Sequence, residues 1–310
     1  MHAIIGNGPV GAATARLLST RGEPVTVITR TGGASTNDVR HVAADAGDVD
    51  ALTAACAGAT VIYSCASPPY HRWDTDFPAL ASTILSAAER TGAVLVTASN
   101  LYGYGPTEGA LTEELPLNAD GPKGRTRADI WRRAHAAHAA GRVRVTEARA
   151  SDFFGRGVMA TGQLGSRVIP RVLAGKSVSV LGNPEVPHSW TYVDDFAQAL
   201  ITLGADERAW GRPWHVPTAP PRPQHQMIDL IAEHAALPKV AVKGMSWTML
   251  RMLGLVMAPL RGLDEVRYQF DQPFVVDSSA FTATFGTEAT PLDTAVGSTV
   301  EWWQERRGAK

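Results

Sequence analysis

The chain opens MHAIIGNGPVGAATARLLST, and the run Gly6-Asn7-Gly8-Pro9-Val10-Gly11 limits the possible folds more than any other stretch. Three glycines in G-x-G-x-x-G order stand between an apolar, β-branched run and a helical one. That strand-to-helix context is what gives the motif meaning. Gly6 permits a tight turn, Gly8 lets a pyrophosphate approach the backbone, and Gly11 lets the helix pack on the sheet. The helix start then offers unpaired N–H groups and the positive end of its dipole to phosphate. The plain alternative is a structural glycine turn with no ligand.

The next segments repeat the unit. VTVI (25–28), VIYS (61–64), VLVT (94–97) and VRVT (143–146) read as strands, separated by helical stretches such as DALTAACAG and FPALASTILSAAERTG. This alternation predicts an α/β fold, a Rossmann-type doubly wound parallel sheet with helices on both faces. Beyond it the pattern loosens to a helix near 163–174, a strand at 177–181, a strand TYV (191–193), a helix DDFAQALITLG and a Pro-rich loop at 216–223. The expected organisation is a dinucleotide-binding domain over residues 1–160, with 189–217 returning to it. Residues 161–188 and 218–310 form a smaller C-terminal substrate-binding lobe. Open α/β sheets bind ligands beyond the carboxyl ends of their strands, so the lobe is expected there.

Composition narrows the partners. A net charge of −1 over 310 residues gives no electrostatic case for nucleic acid or an anionic membrane. Cys56 and Cys65 make no disulfide framework and fit a reduced cytoplasm. The chain begins in a strand without a signal-peptide pattern. The most apolar run, residues 245–260, is shorter than a bilayer span and carries Arg251, so a buried or pocket-lining helix is expected. No His/Cys cluster has metal-ligand spacing, and no metal is expected. A small-molecule substrate is expected, and a homodimer is allowed.

The second strand ends VITRTGG, where NAD sites place a carboxylate for the ribose hydroxyls. Thr29 and Arg30 stand there instead. An arginine suits a 2′-phosphate, which favours NADP(H) over NAD(H). The alternative is a solvated loop arginine.

Several landmarks together, GNGPVG, AGDVD (46–50), VIYSCAS (61–67), VTASNLYGYGP (96–106), RASDFFG (149–155) and VLGNPEVPHSWTYVDDFAQAL (180–200), resemble the extended short-chain dehydrogenase/reductase family, which includes the NAD-dependent epimerases and dehydratases. The resemblance implies that Asp48 accepts from the adenine amino group with Val49 against the ring. Cys65 and Ala66 would line the cofactor, and Ala150 to Asp152 would approach the nicotinamide end. Asp48 also reads as a helix N-cap, and the two roles are compatible.

The resemblance also exposes departures. The family's helix opens P-x-x-P-Y-G-x-x-K, with tyrosine as acid or base and lysine on the ribose. PLNADGPKGRTR aligns without a gap and places Lys123 at the tyrosine and Arg127 at the lysine. Ala98 stands four residues before Tyr102, where the family has Ser or Thr; Ser99 and Asn100 occupy the places of the dehydratase Asp-Glu pair. His188 falls where an arginine often meets a nucleotide-sugar pyrophosphate.

Three readings follow. Lys123 is the replacement acid, with neighbouring cations easing loss of its proton. Or the substrate needs no strong donor. Or the protein binds NADP(H) without turnover. A solvated lysine at the start of the helix is the alternative for Lys123. Ser99, Asn100 and Tyr102 are secondary catalytic candidates, and Tyr104 is a further phenol nearby. Met245, Met249, Met252, Met257, Trp190 and Trp247 suggest a partly apolar substrate, not a nucleotide sugar, or simple core packing. The leading expectation is an atypical NADP(H)-dependent oxidoreductase. Its rivals are a redox-neutral epimerase or isomerase with tightly held cofactor, and a non-catalytic NADP(H)-sensing protein.

Overall fold

The computed structural model describes residues 1–36, 38–257 and 260–308. The chain runs β1 (His2–Ile5), α1 (Pro9–Thr20), β2 (Val25–Thr29), β3 (Val39–Ala43), α2 (Val49–Ala55), β4 (Val61–Ser64), α3 (Trp73–Thr91), β5 (Val94–Asn100), α4 (Pro122–Ala139) and β6 (Val145–Ala150). It continues β7 (Asp152–Phe154), α5 (Ile169–Val172), β8 (Val178–Leu181), β9 (Trp190–Tyr192), α6 (Val193–Ala205), β10 (Pro213–His215), α7 (Gln224–His234), β11 (Val242–Met245), α8 (Trp247–Val256), α9 (Tyr268–Asp271), α10 (Ser279–Phe285) and α11 (Leu292–Gly308).

Two compact units result. The first holds Met1–Gly105, Pro116–Ala150 and Phe196–Val216; the second holds Pro106–Leu115, Ser151–Asp195 and Pro217 onward. The divisions thus fall at 150/151 and 195/196, beside the 160 and 189 read from sequence, and residues 106–115 join the second unit.

The first unit is a seven-stranded sheet in the order β10-β6-β5-β4-β1-β2-β3. Its pairings are parallel, with Ile5 in register with both Ile28 and Ser64. Strand order reverses between β1 and β4, which opens a crevice at their carboxyl ends. Alternation assigns the faces. Ala3, Ile5, Ile62 and Leu95 join the core with α2, α3 and α4 residues such as Leu52, Ile84 and Trp131. Val61 and Tyr63 point the other way, where Gly204 of α6 lies so close that a Cβ there would meet Val61 at 2.8 Å. The two strands of this sheet that the sequence pattern missed, β3 and β10, are its edges. An edge strand has one neighbour and needs no strict apolar alternation, so the pattern does not mark VRHVA or PWH.

The second unit contains the parallel pairs β7–β9 and β8–β11. Its core gathers Phe154, Ile169, Trp190, Ile228, Val296 and Trp303. Two expectations are corrected here. The helix expected near 163–174 shrinks to Ile169–Val172. Gly165 packs against its own chain, with a Cβ there 1.8 Å from the Met159 carbonyl oxygen, so residues 163–168 turn instead of coiling. The run at 245–260 is not a buried helix. α8 buries Trp247, Leu250 and Gly254, and exposes Met249, Met252, Leu253, Leu255 and Val256, with Met257 beyond it. Its apolar residues surround the axis while only one side is covered, which composition cannot reveal. Ala258 and Pro259 of that run lie outside the described residues.

Candidate active site

The glycine loop joins β1 to α1. Gly6 has φ +99°, and a Cβ there would lie 2.7 Å from the Ala66 backbone nitrogen. Only glycine fits, because the loops after β1 and β4 touch at this point. Gly8 is the N-cap of α1 with Pro9 in the first turn, and no side chain caps the helix. Space above Gly8 is open to 4 Å. The N–H groups of Val10 and Gly11 therefore begin the helix with no side-chain acceptor, and the position suits an anion. Asn7 is exposed and Val10 is buried.

β2 ends in a turn closed by the Thr29 hydroxyl, which donates to the Gly32 carbonyl at 2.9 Å. The turn displays Arg30, which is exposed and has no ion-pair partner among the described residues. Asp48 caps α2: its Oδ1 accepts from the backbone nitrogens of Asp50 at 2.9 Å and Ala51 at 3.1 Å. Val49 follows it, half-buried, as the first residue of α2. The cap role is therefore real, and it involves only one carboxylate oxygen. After β4, the Cys65 N–H donates to the Ile5 carbonyl at 2.9 Å, and burial pushes the thiol up to about 12. Cys65 is a neutral wall of the crevice at ordinary pH.

α4 starts with Gly121 as N-cap and Pro122 in the first turn. Gly124 is demanded by packing, since a Cβ would lie 2.6 Å from the Tyr102 carbonyl oxygen. The turn Tyr102–Tyr104 thus seats directly on the first turn of α4, and the Tyr102 N–H is held by Asn100 Oδ1 at 3.2 Å. Lys123 is not a solvated residue. It is 5% exposed, and its Nζ lies 4.8 Å from the centre of the Tyr70 ring. Arg127, one turn on, is also buried; its guanidinium stands 4.5 Å from the Trp73 ring and 4.4 Å from the Phe77 ring. Among the described residues its Nε and Nη1 have no hydrogen-bond partner. Burial lowers Arg127 to about 10, opposed by the negative charge of Glu147, so it remains cationic at neutral pH.

Tyr70, Trp73 and Phe77 were not singled out in the sequence. The signal was the aromatic run YHRWDTDF (70–77) that leads into α3. Tyr102 adds to the group, with its ring 5.8 Å from Trp73 and 6.5 Å from Tyr70. Two cations one helical turn apart thus face aromatic rings, with no carboxylate hydrogen-bonded to Arg127.

β5 extends to Asn100, so Ala98 points to one face while Thr97 and Ser99 point to the other. Ser99 is 5% exposed. Tyr104 is occupied structurally: its hydroxyl receives Arg149 Nη1 at 2.7 Å and lies 2.8 Å from His215 Nε2, while Arg149 Nε donates to Glu147 at 2.7 Å. Ala150 ends β6 opposite Asn100. In the second unit, Asp152 Oδ2 lies 3.0 Å from His188 Nε2, and His188 Nδ1 donates to the Gln269 carbonyl at 3.0 Å. His188 is buried against Phe270, with ring centres 5.2 Å apart, and both its nitrogens are engaged. Among the described residues no helix is long and apolar enough to cross a membrane.

Residues 4–215 match the model of the NAD dependent epimerase/dehydratase family, and the chain belongs to that family. No curated protein matches it in sequence. Among solved structures it is similar to MoeE5 in complex with UDP-glucose and NAD, at 20% identity and TM-score 0.80 over 100% of this chain and 99% of that one. It is similar to the dTDP-glucose 4,6-dehydratase DesIV of Streptomyces venezuelae with NAD bound, at 17% identity and TM-score 0.80 over 100% and 98%. A UDP-glucose 4-epimerase of Thermotoga maritima with UDP-glucose matches at 14% identity and TM-score 0.80 over 99% and 100%.

Proposed function

We propose that this protein is a nicotinamide-dinucleotide-dependent oxidoreductase that prefers NADP(H), works without a tyrosine proton relay, and acts on a small, partly apolar metabolite instead of a nucleotide sugar. The carrying observation is the buried pair at the start of α4: Lys123 under Tyr70, and Arg127 with two unpartnered nitrogens. A buried donor without an acceptor costs about 1–3 kcal/mol, more when charged, so a bound ligand is its natural partner.

The residues fit a dinucleotide. The open space at Gly8 and the uncapped first turn of α1 suit its pyrophosphate. Asp48 keeps one carboxylate oxygen for the adenine amino group, Arg30 suits a 2′-phosphate, and Arg127 donates to the ribose hydroxyls. NAD in the MoeE5 and DesIV structures supports the class of cofactor but not the 2′-phosphate. The bound cofactor supplies or removes a hydride. Lys123 supplies the matching proton from Nζ, a contribution of roughly 10²–10⁴-fold in such catalysis. The departures at Ser99, Asn100 and His188 argue against nucleotide-sugar dehydration, since none is a carboxylate or a free cation.

The test is NADPH and NADH oxidation with a panel of small ketones, aldehydes and imines. NADPH-dependent turnover of an apolar carbonyl is expected. Turnover of UDP- or dTDP-hexoses alone would overturn the substrate reading. The family description favours a second reading, redox-neutral epimerisation, and a dinucleotide that survives dialysis without net NADPH use would select it.

A further inference from the structure

Exposed apolar side chains are concentrated on one element of the second unit. Among the described residues, the large apolar side chains that stand exposed are Met249, Met252, Leu253, Leu255, Val256 and Met257. All belong to α8 or to the residue that ends it. The spacing is regular. Trp247, Leu250 and Gly254 form the stripe that α8 buries, and Met249, Met252, Leu253 and Val256 form a second apolar stripe on the opposite side. Leu255 and Val256 are the most open, at 77% and 81% exposure. A helix that is apolar all round belongs inside a protein or against a second apolar phase, and α8 has only one side covered.

The surroundings of α8 are basic. Residues 243–267 carry four cations, Lys243, Arg251, Arg261 and Arg267, against two acids, Asp264 and Glu265. Lys243, Arg251 and Arg261 are exposed. Arg251 lies on α8 beside Asp264, with Nε 3.3 Å from Oδ2, and 67% of its side chain stays exposed. Arg261 is held against the helix, since a Cβ on Gly254 would lie 3.5 Å from the Arg261 Cα. The net charge of −1 for the whole chain averages this local excess away. An apolar face with a cationic rim matches a surface that is anionic outside and apolar just beneath.

We propose that α8 is an in-plane membrane anchor, which seats its outward apolar stripe at the headgroup boundary of an anionic bilayer while Lys243, Arg251 and Arg261 meet the lipid headgroups. Size decides between a bilayer and a second copy of this chain. α8 has ten residues, so it is about 15 Å long and its outward face offers roughly 300 Å² at most. Each partner in a stable protein complex buries about 800 Å². A bilayer sets no such minimum, because every apolar side chain that enters it adds binding without a matched surface. The methionines adapt their shape and suit a fluid partner. Spanning takes about 20 residues, so a helix of this length lies on the bilayer and does not cross it.

Co-sedimentation of the whole protein with vesicles is the test, using phosphatidylcholine alone and phosphatidylcholine mixed with phosphatidylserine. The protein should bind the mixed vesicles, and bind phosphatidylcholine alone at least about 10-fold more weakly. Added sodium chloride should reduce the difference. Leu255→Gln combined with Val256→Gln removes apolar surface without adding charge, and glutamine keeps the helix. The pair should weaken binding to the mixed vesicles at least about 10-fold, in proportion to the apolar area lost. Tm should hold, because both side chains are exposed. Arg261→Gln should weaken binding about 5-fold, the worth of one cation near such a surface. Sedimentation velocity without lipid should show the same oligomeric state for all three proteins. Four outcomes would overturn the proposal: no binding of wild-type protein to the mixed vesicles, equal binding to both vesicle types, binding that either variant leaves unchanged, or a smaller oligomer in the glutamine pair, which would give the face to a second copy.

Discussion

The glycine loop and the first turn of α4 both lie in the first unit, and the function proposed above uses them in opposite ways. At the loop the working groups are backbone: the N–H groups of Val10 and Gly11 and the bare Cα of Gly8. Side chains there serve mainly to stay out of the way, so the motif must be kept whole. At α4 the backbone supplies only a platform, fixed by Gly124 against Tyr102, and the working groups are side chains. A platform survives a change of side chain. Lys123 and Arg127 can therefore alter the reaction while the helix, its cap and its seat on the Tyr102–Tyr104 turn stay as they are.

That contrast can be broken most directly at Gly8. Gly8→Val should weaken NADPH binding by at least about 100-fold, some 2.7 kcal/mol, with little change in Tm, because the space above it is open in the protein alone. Retained affinity, measured by fluorescence titration, would remove the loop from the phosphate site. Lys123→Met should do the reverse. Turnover should fall about 100-fold while the NADPH Kd moves only a few-fold, since the proposed role of Nζ is to supply the proton and not to hold the cofactor. Full turnover in that variant would leave donor-free chemistry as the explanation.

Backbone-borne features were also the ones legible in the sequence. The loop, the Asp48 cap and the strands β1, β2, β4 and β5 follow from glycine spacing, capping chemistry and apolar runs, which are local properties. What escaped was non-local. β3 and β10 earn strand geometry from one neighbour each. The exposure of Met252, Leu255 and Val256 depends on what α8 does not meet. The burial of Lys123 depends on Tyr70, more than fifty residues earlier in the chain. For a lysine beside Pro and Gly at a helix start, the solvated alternative stays open because no short window contains the ring above it.

Arg127 sharpens the comparison because it mixes the two modes: a side chain held rigidly by packing. Arg127→Met keeps contact with Trp73 and Phe77 and removes a buried charge that has no hydrogen-bonded partner. NADPH affinity should drop about 10-fold, as for loss of charge-assisted hydrogen bonds, with no loss of Tm. A large fall in Tm with unchanged affinity would make Arg127 a packing residue alone. Arg30→Asp should give a change of similar or smaller size, a shift of about 10-fold in preference from NADPH toward NADH. Wild-type protein that binds NADH more tightly would end the 2′-phosphate reading.

The smallest effect expected is at the thiols, and it tests whether the crevice wall is as closed as the packing indicates. Burial raises Cys65 to about 12 and Cys56 to about 11. A raised thiol stays protonated through the neutral range, and only thiolate reacts with iodoacetamide. At pH 8 the reactive fraction is then on the order of 10⁻³ for Cys56 and 10⁻⁴ for Cys65, against roughly a quarter for a free cysteine. Native protein should therefore show almost no alkylation at pH 8 by mass spectrometry, and both sites should react once it is unfolded in guanidinium. Cys56, buried under α2, should stay silent with or without ligand. Cys65 lies in the loop that touches Gly6, so it is the one that reports on the crevice. Rapid labelling of Cys65 at pH 8, suppressed by NADPH, would mean that the loops after β1 and β4 separate in solution and close only on the dinucleotide. The glycine loop would then move with its ligand, and the rigid-backbone half of the comparison would fail.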